Sequence, residues 1–268
     1  MADAITTPAT ADQAPIEISR VLADTFELIG SRTGAVLVVA LITVLPTRLA
    51  ALAVASYGFA PGTVHSHWAI IGTVIALMAV AGALMAMFGQ GALIGTAIAQ
   101  QQDRPSHVVD GIADALKRLP ILFVVTLLYM LGILFGALFL IVPGVIAAMM
   151  WSVTGPVAVA ERTGIIATFR RSGELTHNSL WRIFLLMVVS GLITGILSWI
   201  AGRLGLLFLD TSASDLTYDI HPAFFLFQSL IETLTAAFDL PLACALYLVL
   251  IEREGGGPVA DRLTAIFE

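Results

Sequence analysis

Charge is what this 268-residue chain has least of: 13 Lys+Arg and 19 Asp+Glu make up 12% of it. A soluble domain is about 25% charged, which at this length means roughly 67 ionisable side chains. Apolar residues fill 58%, and the mean hydropathy is +0.95. A fold dissolved in water cannot hide that much apolar surface, because much of any folded surface still faces solvent. A soluble enzyme, a nucleic-acid binder and a disordered chain are thereby excluded as readings of the whole. Cysteine is nearly absent too. Cys244 alone allows no intramolecular disulfide and no thiolate metal framework. The net charge of −6 comes with no basic stripe of the kind that binds nucleic acid.

What the chain has is long apolar runs. A membrane span needs about 20 such residues, and the runs place spans at 34–57, 68–99, 119–142, 143–160, 181–207 and 222–251. The alternation of a β-barrel is missing. The expected fold is an all-α, polytopic membrane helix bundle of six transmembrane helices. The second run is longer than a span needs and should project or tilt. The fourth should begin in a tight turn at Val142-Pro143-Gly144, with Pro143 at the first helical position. Residues 1–15 lack a cationic start before an apolar stretch and read as a disordered tail rather than a signal peptide. Residues 16–254 then form one integral membrane domain, and 255–268 a short cytoplasmic tail.

Cations give an independent check. Arg20 and Arg32, then Arg104, Lys117 and Arg118, then Arg162, Arg170, Arg171 and Arg182, then Arg253 and Arg262 all flank one side, 11 of the 13. The connections 58–67, 142–143 and 208–221 hold none, and only Arg48 and Arg203 fall within spans. Both termini are therefore expected in the cytoplasm. Tyr57, Trp68 and Trp199 suit the outer aromatic belt, and Trp181 and Tyr247 the inner one; Trp151, mid-span, should pack instead.

Each inner connection is also amphipathic. Ile18, Val21, Leu22, Phe26 and Ile29 share one helical face, as do Val109, Ile112, Ala113 and Leu116 after a Ser106 cap, and Ile165, Ile166 and Phe169 after Gly164. The strings Leu22-Ala23-Asp24-Thr25-Phe26, Ile112-Ala113-Asp114-Ala115-Leu116 and Ile166-Ala167-Thr168-Phe169 suggest a threefold repeat of one surface helix plus two spans. Such helices lie at the headgroup level, where their cations favour anionic lipid. Pairs of Gly four residues apart, Gly91/Gly95, Gly132/Gly136 and Gly191/Gly195, set close helix packing, either inside the bundle or in a homo-oligomer.

The stretch Pro143-Gly144, Trp151, Pro156, Glu161-Arg162-Thr163-Gly164, Phe169-Arg170-Arg171-Ser172-Gly173-Glu174-Leu175-Thr176 and Trp181-Arg182, together with Leu45-Pro46, resembles the membrane-domain family associated with bacterial glycerophosphoryl diester phosphodiesterases and its stand-alone relatives. The resemblance covers most of residues 16–255 and implies an integral inner-membrane protein. Where that family carries hydrolase activity, catalysis belongs to a separate soluble barrel. Some seventeen residues follow the last expected span here, so the resemblance does not carry the activity over.

Within this stretch Glu161, Arg170, Arg171, Ser172 and Arg182 form either a structural clamp at the membrane surface or a phosphate-headgroup site, since Arg meets both carboxylate and phosphate bidentately. Four polar side chains lie inside spans: Arg48, Gln90, Glu232 and Asp239. At 1.5 Å per residue Arg48 lies about 21 Å from the inner end of its span and Glu232 about 15 Å from the outer end of its own. In a layer of roughly 30 Å the two can reach each other. Asp239 precedes Pro241, and an acid beside a broken helix suits an ion or proton site. His65, His67 and His221 with Asp210, Asp215 and Asp219 could bind Zn²⁺ only if two loops meet, so no metal and no cofactor are expected. The leading expectation is a non-enzymatic inner-membrane protein that associates with lipid headgroups, anionic ones included, or anchors a partner. The alternative is a small transporter using Arg48, Glu232 and Asp239. Scarce Lys beside plentiful Ala, Gly and Arg suits a bacterium with G+C-rich DNA.

Overall fold

In lipid a backbone is satisfied only within helices or a closed barrel, and continuously apolar runs without alternation leave helices. The computed structural model describes residues 16–58, 68–101, 108–205 and 222–255, and among these there is no strand. The helices are α1 (Ile18–Ser31), α2 (Thr33–Gly58), α3 (Trp68–Gln101), α4 (Val108–Lys117), α5 (Leu119–Phe139), α6 (Ile141–Met150), α7 (Thr154–Ala160), α8 (Ile165–Thr176), a 3₁₀ turn at His177–Ser179, α9 (Leu180–Gly205) and α10 (Pro222–Gly255). Six segments of the described residues are long and apolar enough to cross a membrane, α6 and α7 together making one. The protein is an all-α, multi-pass membrane bundle.

The order surface helix, span, span occurs three times: α1–α2–α3, α4–α5–α6/α7 and α8–α9–α10. Packing follows the same cycle. Each surface helix lies on the last span of the preceding unit: α4 on α3, α8 on α7, and α1 on α10. The first spans repeat this, α5 packing on α3, α2 on α10 and, more sparingly, α9 on α6. The last spans, α3, α6/α7 and α10, meet in the middle, and the first spans form an outer ring. Burial agrees, with the apolar window of α10 61% buried and the one leading through α9 only 11%.

The faces that make the cycle are lined by small side chains. Val21/Thr25 of α1, Gly111/Ala115 of α4, and both Thr168/Ser172 and Ser172/Thr176 of α8 are buried i, i+4 pairs. By burial, Thr168 or Ser172 stands where Val21 and Gly111 stand, three or seven residues along from the alignment on Ile166 and on the same helical face in either case. Gly111 has no room for a side chain, because a Cβ there would overlap the Ala92 carbonyl of α3.

The fourth span differs from its expected form. Its turn is at Leu140 rather than 142–143, and Pro143 is the third helical residue, not the first. The first turn of a helix has no intrahelical use for its N–H groups, so Pro is tolerated there. The span also breaks at Trp151–Val153 into α6 and α7. Pro156 lacks an N–H and disfavours helix just before it, which places the break one turn upstream. Trp151 packs as expected, against Tyr129 at 6.5 Å and Phe169 at 5.0 Å between ring centres, and over Gly132. Tyr247 does not belong to an aromatic belt; it is fully buried in the core. Trp199 and Trp181 are exposed, and Arg203 lies over the Trp199 ring at 5.5 Å. The side chains of Tyr57 and Trp68, the Ser106 cap, and the His and Asp residues of 59–67 and 206–221 lie outside the described residues.

Two of the three Gly pairs are used inside the chain. A Cβ on Gly91 would overlap Val159 of α7, and one on Gly136 would come 2.8 Å from the backbone of Gly144 across the α5–α6 hairpin. Gly191 and Gly195 have nothing within 4 Å. Gly136→Ala should therefore cost about 1–3 kcal/mol through overpacking. Gly195→Ala should leave thermal stability in detergent unchanged or raise it by about 0.5–1 kcal/mol, the usual gain for Ala over Gly in a helix. A loss of stability at Gly195 would reveal a second chain on that face.

Candidate functional site

The densest polar cluster forms where α7 turns into α8. Glu161 caps α7, Arg162 follows at φ 51° in the left-handed region, and Gly164 caps α8. A left-handed residue after a helix reverses the chain within one turn, so α8 returns beneath α7 and brings Arg171 back to Glu161. Arg171 Nε donates to Glu161 Oε2 at 3.0 Å and Oε1 at 3.1 Å. Its Nη1 and Nη2 donate to Glu254 Oε1 and Oε2 at 2.7 and 2.5 Å. Tyr247, one face and seven residues before Glu254 on α10, donates its hydroxyl to Glu161 Oε1 at 3.3 Å. One guanidinium thus joins α7, α8 and α10.

The neighbouring groups extend the same tie. Arg253 Nη1 donates to Ser179 Oγ at 2.5 Å, and Arg20 of α1 reaches Glu252 at 2.5 Å. Arg182 donates to the Ile16 carbonyl. A cavity of about 160 Å³ opens alongside, lined by Glu174, Leu175, Asn178, Leu250, Arg253 and Glu254. On α1 partial burial pushes the Asp24 carboxyl above its ordinary range, with Arg20 opposing the shift. The neutral acid fits the folded chain better, so this contribution to stability grows as pH falls through the raised value.

Of the five surface residues expected to act together, the structure joins only Glu161 and Arg171 directly. Arg170 points away, 80% exposed, and pairs with Glu174 on its own helix at 2.9 Å. Ser172 is buried, and with Thr176 it donates to the Met150 carbonyl, at 2.8 and 3.1 Å. That carbonyl ends α6 at the break, so the two hydroxyls satisfy an acceptor that the interrupted helix leaves open. Arg170, Arg171, Ser172 and Arg182 therefore do not converge on one phosphate site: Arg170 faces outward, Arg171 is held by Glu161 and Glu254, Ser172 by the Met150 carbonyl and Arg182 by the Ile16 carbonyl. The clamp reading fits, with Glu254 and Tyr247 as members that sequence reasoning missed. The signal for them was the Glu252-Arg253-Glu254 run closing α10 on the side of the Arg-rich α8.

The intramembrane polar residues fall on three separate places. Arg48 of α2 and Glu232 of α10 form an ion pair, which their depths in the sequence allow. Ser190 of α9 donates to Asp239 Oδ1 at 2.8 Å, two residues before Pro241, which leaves the Ala237 carbonyl without its helix partner. Gln90 sits where the three last spans meet. Its amide oxygen occupies the space that a side chain on Gly155 of α7 would fill, and its carbonyl accepts from Cys244 Sγ of α10 at 3.4 Å. Among the described residues no three His, Cys, Asp or Glu side chains gather as a metal site would need.

Residues 131–250 match a family model described as a domain of unknown function, DUF7847. The matched segment runs from the α5–α6 hairpin through most of α10 and contains Glu161, Arg171, Glu232, Asp239 and Tyr247. No curated protein and no solved structure matches the chain.

Arg171→Gln should destabilise the fold by roughly 3–5 kcal/mol, since it leaves two carboxylates facing each other without their cation. Arg171→Lys should recover little, because one ammonium cannot serve both carboxylates in forked geometry; thermal unfolding in detergent reads both. For the intramembrane pair, the separate costs of Arg48→Gln and Glu232→Gln should sum to more than the cost of the double substitution. A coupling of about 1–3 kcal/mol is expected, and one near zero would show that the two charges are held independently.

Proposed function

We propose that this is a non-enzymatic protein of the bacterial inner membrane, with both termini cytoplasmic, whose α1-side surface associates with anionic lipid headgroups. The supporting observation is the arrangement of α1, α4 and α8 at one end of the bundle. Each turns large apolar side chains outward beside charged ones: Phe26 on α1, Val109 and Leu116 on α4, and Ile166, 84% exposed, on α8. Lys117 and Arg170 are 75% and 80% exposed next to them. A helix with that division of faces lies in the boundary between acyl chains and headgroups. The cation asymmetry of the connections supports the orientation. Lipid recognition on this reading belongs to the belt of surface helices, not to the clamp, whose arginine is engaged by Glu161 and Glu254. The resemblance to the glycerophosphoryl diester phosphodiesterase membrane-domain family, carried by the motif from Pro143 to Arg182, is part of the same proposal.

A second reading, a small transporter, draws on α10. Glu232 and Asp239 are seven residues apart and share a face, and they meet Arg48 and Ser190 from different helices.

Substitution of Lys117, Arg118 and Arg170 by Gln should remove about 1 kcal/mol of attraction each. The preference for anionic over zwitterionic vesicles should then fall by roughly a hundredfold, with thermal stability retained because none of the three belongs to the clamp. Unchanged anionic-lipid retention in native mass spectrometry would overturn the headgroup reading. Solute flux in liposomes that disappears in Glu232→Gln or Asp239→Asn would establish the transporter instead.

A further inference from the structure

The middle unit joins its two spans differently from the others. The first and third units are connected through residues 59–67 and 206–221, which include Thr63, His65, Ser66 and His67 in one and Asp210, Asp215, Asp219 and His221 in the other. In the middle unit α5 and α6 are joined by Leu140 alone. From Met130 to Met150, 21 residues in a row, no side chain is polar or charged. Leu138, Phe139, Leu140, Ile141 and Val142 at its end are each 60–78% exposed, so no other described part of the chain covers them.

Length decides where this end sits. The 21 residues of α5 rise about 31 Å, which is close to the roughly 30 Å of a bilayer's hydrocarbon. The hairpin is held at its other end by charge: Lys117 and Arg118 stand immediately before α5, and the Glu161–Arg171 pair closes α7. With those charges at one headgroup layer, the hairpin reaches the opposite edge of the hydrocarbon and has nothing left with which to go further.

The backbone sets the other limit. At a helix-to-helix turn the last carbonyls of one helix and the first N–H groups of the next lack helical partners. Here Leu140 N–H donates to the Gly136 carbonyl at 3.1 Å, and Pro143 has no N–H to satisfy. The remaining N–H groups need an acceptor such as lipid-ester oxygen and the remaining carbonyls a donor such as boundary water or a headgroup ammonium, so the turn cannot sit in the acyl interior. Apolar side chains bar it from water, and backbone groups bar it from hydrocarbon. Gly136 against Gly144 brings the two helices together tightly enough that the end is a narrow wedge.

We propose that the end of the α5–α6 hairpin is a lipid-contacting surface, that its partner is the acyl–headgroup boundary of the leaflet opposite α1, and that it does not enter the aqueous phase on either side. The wedge anchors the middle unit in the far leaflet without an emerging loop.

The test is single-cysteine labelling of the full chain in a Cys244→Ala background, reconstituted in phosphatidylethanolamine–phosphatidylglycerol vesicles. Leu138→Cys, Leu140→Cys and Val142→Cys are compared with Ser66→Cys. A membrane-impermeant maleimide applied to both vesicle faces should modify the three hairpin positions roughly tenfold or more slowly than Ser66→Cys, and all four at similar rates in detergent. A nitroxide at the hairpin positions should be broadened by oxygen more than by a water-soluble nickel chelate. Labelling at the rate of Ser66→Cys, or nickel access equal to that of an aqueous loop, overturns the proposal. Slow labelling that persists in detergent, with low oxygen access, overturns it too, because the end is then covered by protein. Three positions around the turn keep the result readable if one variant fails to fold.

Discussion

The bundle depends on how α10 is gripped at its α1-side end. Arg171 holds it through Glu254, Arg20 through Glu252, Ser179 through Arg253, and Tyr247 reaches Glu161 from within the core. Lipid offers no hydrophobic force to pull helices together, so association must come from close packing and from polar contacts that hydrocarbon cannot replace. Small residues supply the first along α3, α4 and the α5–α6 hairpin. The clamp supplies the second, at the level where dehydration is partial and a forked guanidinium between two carboxylates is favourable. With α10 fixed there, α1 and α2 can close against it and the three units complete a ring.

Much of this architecture could be read before any coordinates. Hydropathy located the spans because each needs about 20 apolar residues whatever its packing, and amphipathic periodicity located the three surface helices. Depth arithmetic joined Arg48 to Glu232 because rise per residue is nearly constant in a helix. The break at Trp151–Val153 escaped because hydropathy does not register backbone interruptions, although Pro156 was the clue. The role of Ser172 escaped for the same reason: its acceptor, the Met150 carbonyl, becomes open only when the span is broken. Glu254 and Tyr247 were hidden by distance in the chain, more than 80 residues from Glu161. Sequence spacing predicts partners on one helix and says nothing about which helix lies opposite.

The repeat is faint in the sequence and plain in the structure, where helix order and packing both carry it. Three short strings of similar composition prove little, since any amphipathic helix resembles another. The cyclic packing is stronger because each surface helix and each first span finds the same kind of neighbour. Burial then moves the third string by three or seven residues, one or two helical turns, which preserves the apolar face while changing the register. The Gly191/Gly195 pair shows the limit of motif reading from the other side: it has the spacing of a packing seam, yet nothing among the described residues packs on it.

Ring closure has a consequence for the order of the polypeptide. Because α1 is to α10 what α4 is to α3 and α8 to α7, the start and finish of the described helices are spatial neighbours. The units differ in detail, since the middle one has a broken second span and α9 meets α6 only sparingly, but each surface helix has the same kind of neighbour. A circularly permuted chain beginning at α4 or α8, with α10 linked to α1 across the Arg20–Glu252 contact, would keep every helix beside the same companions.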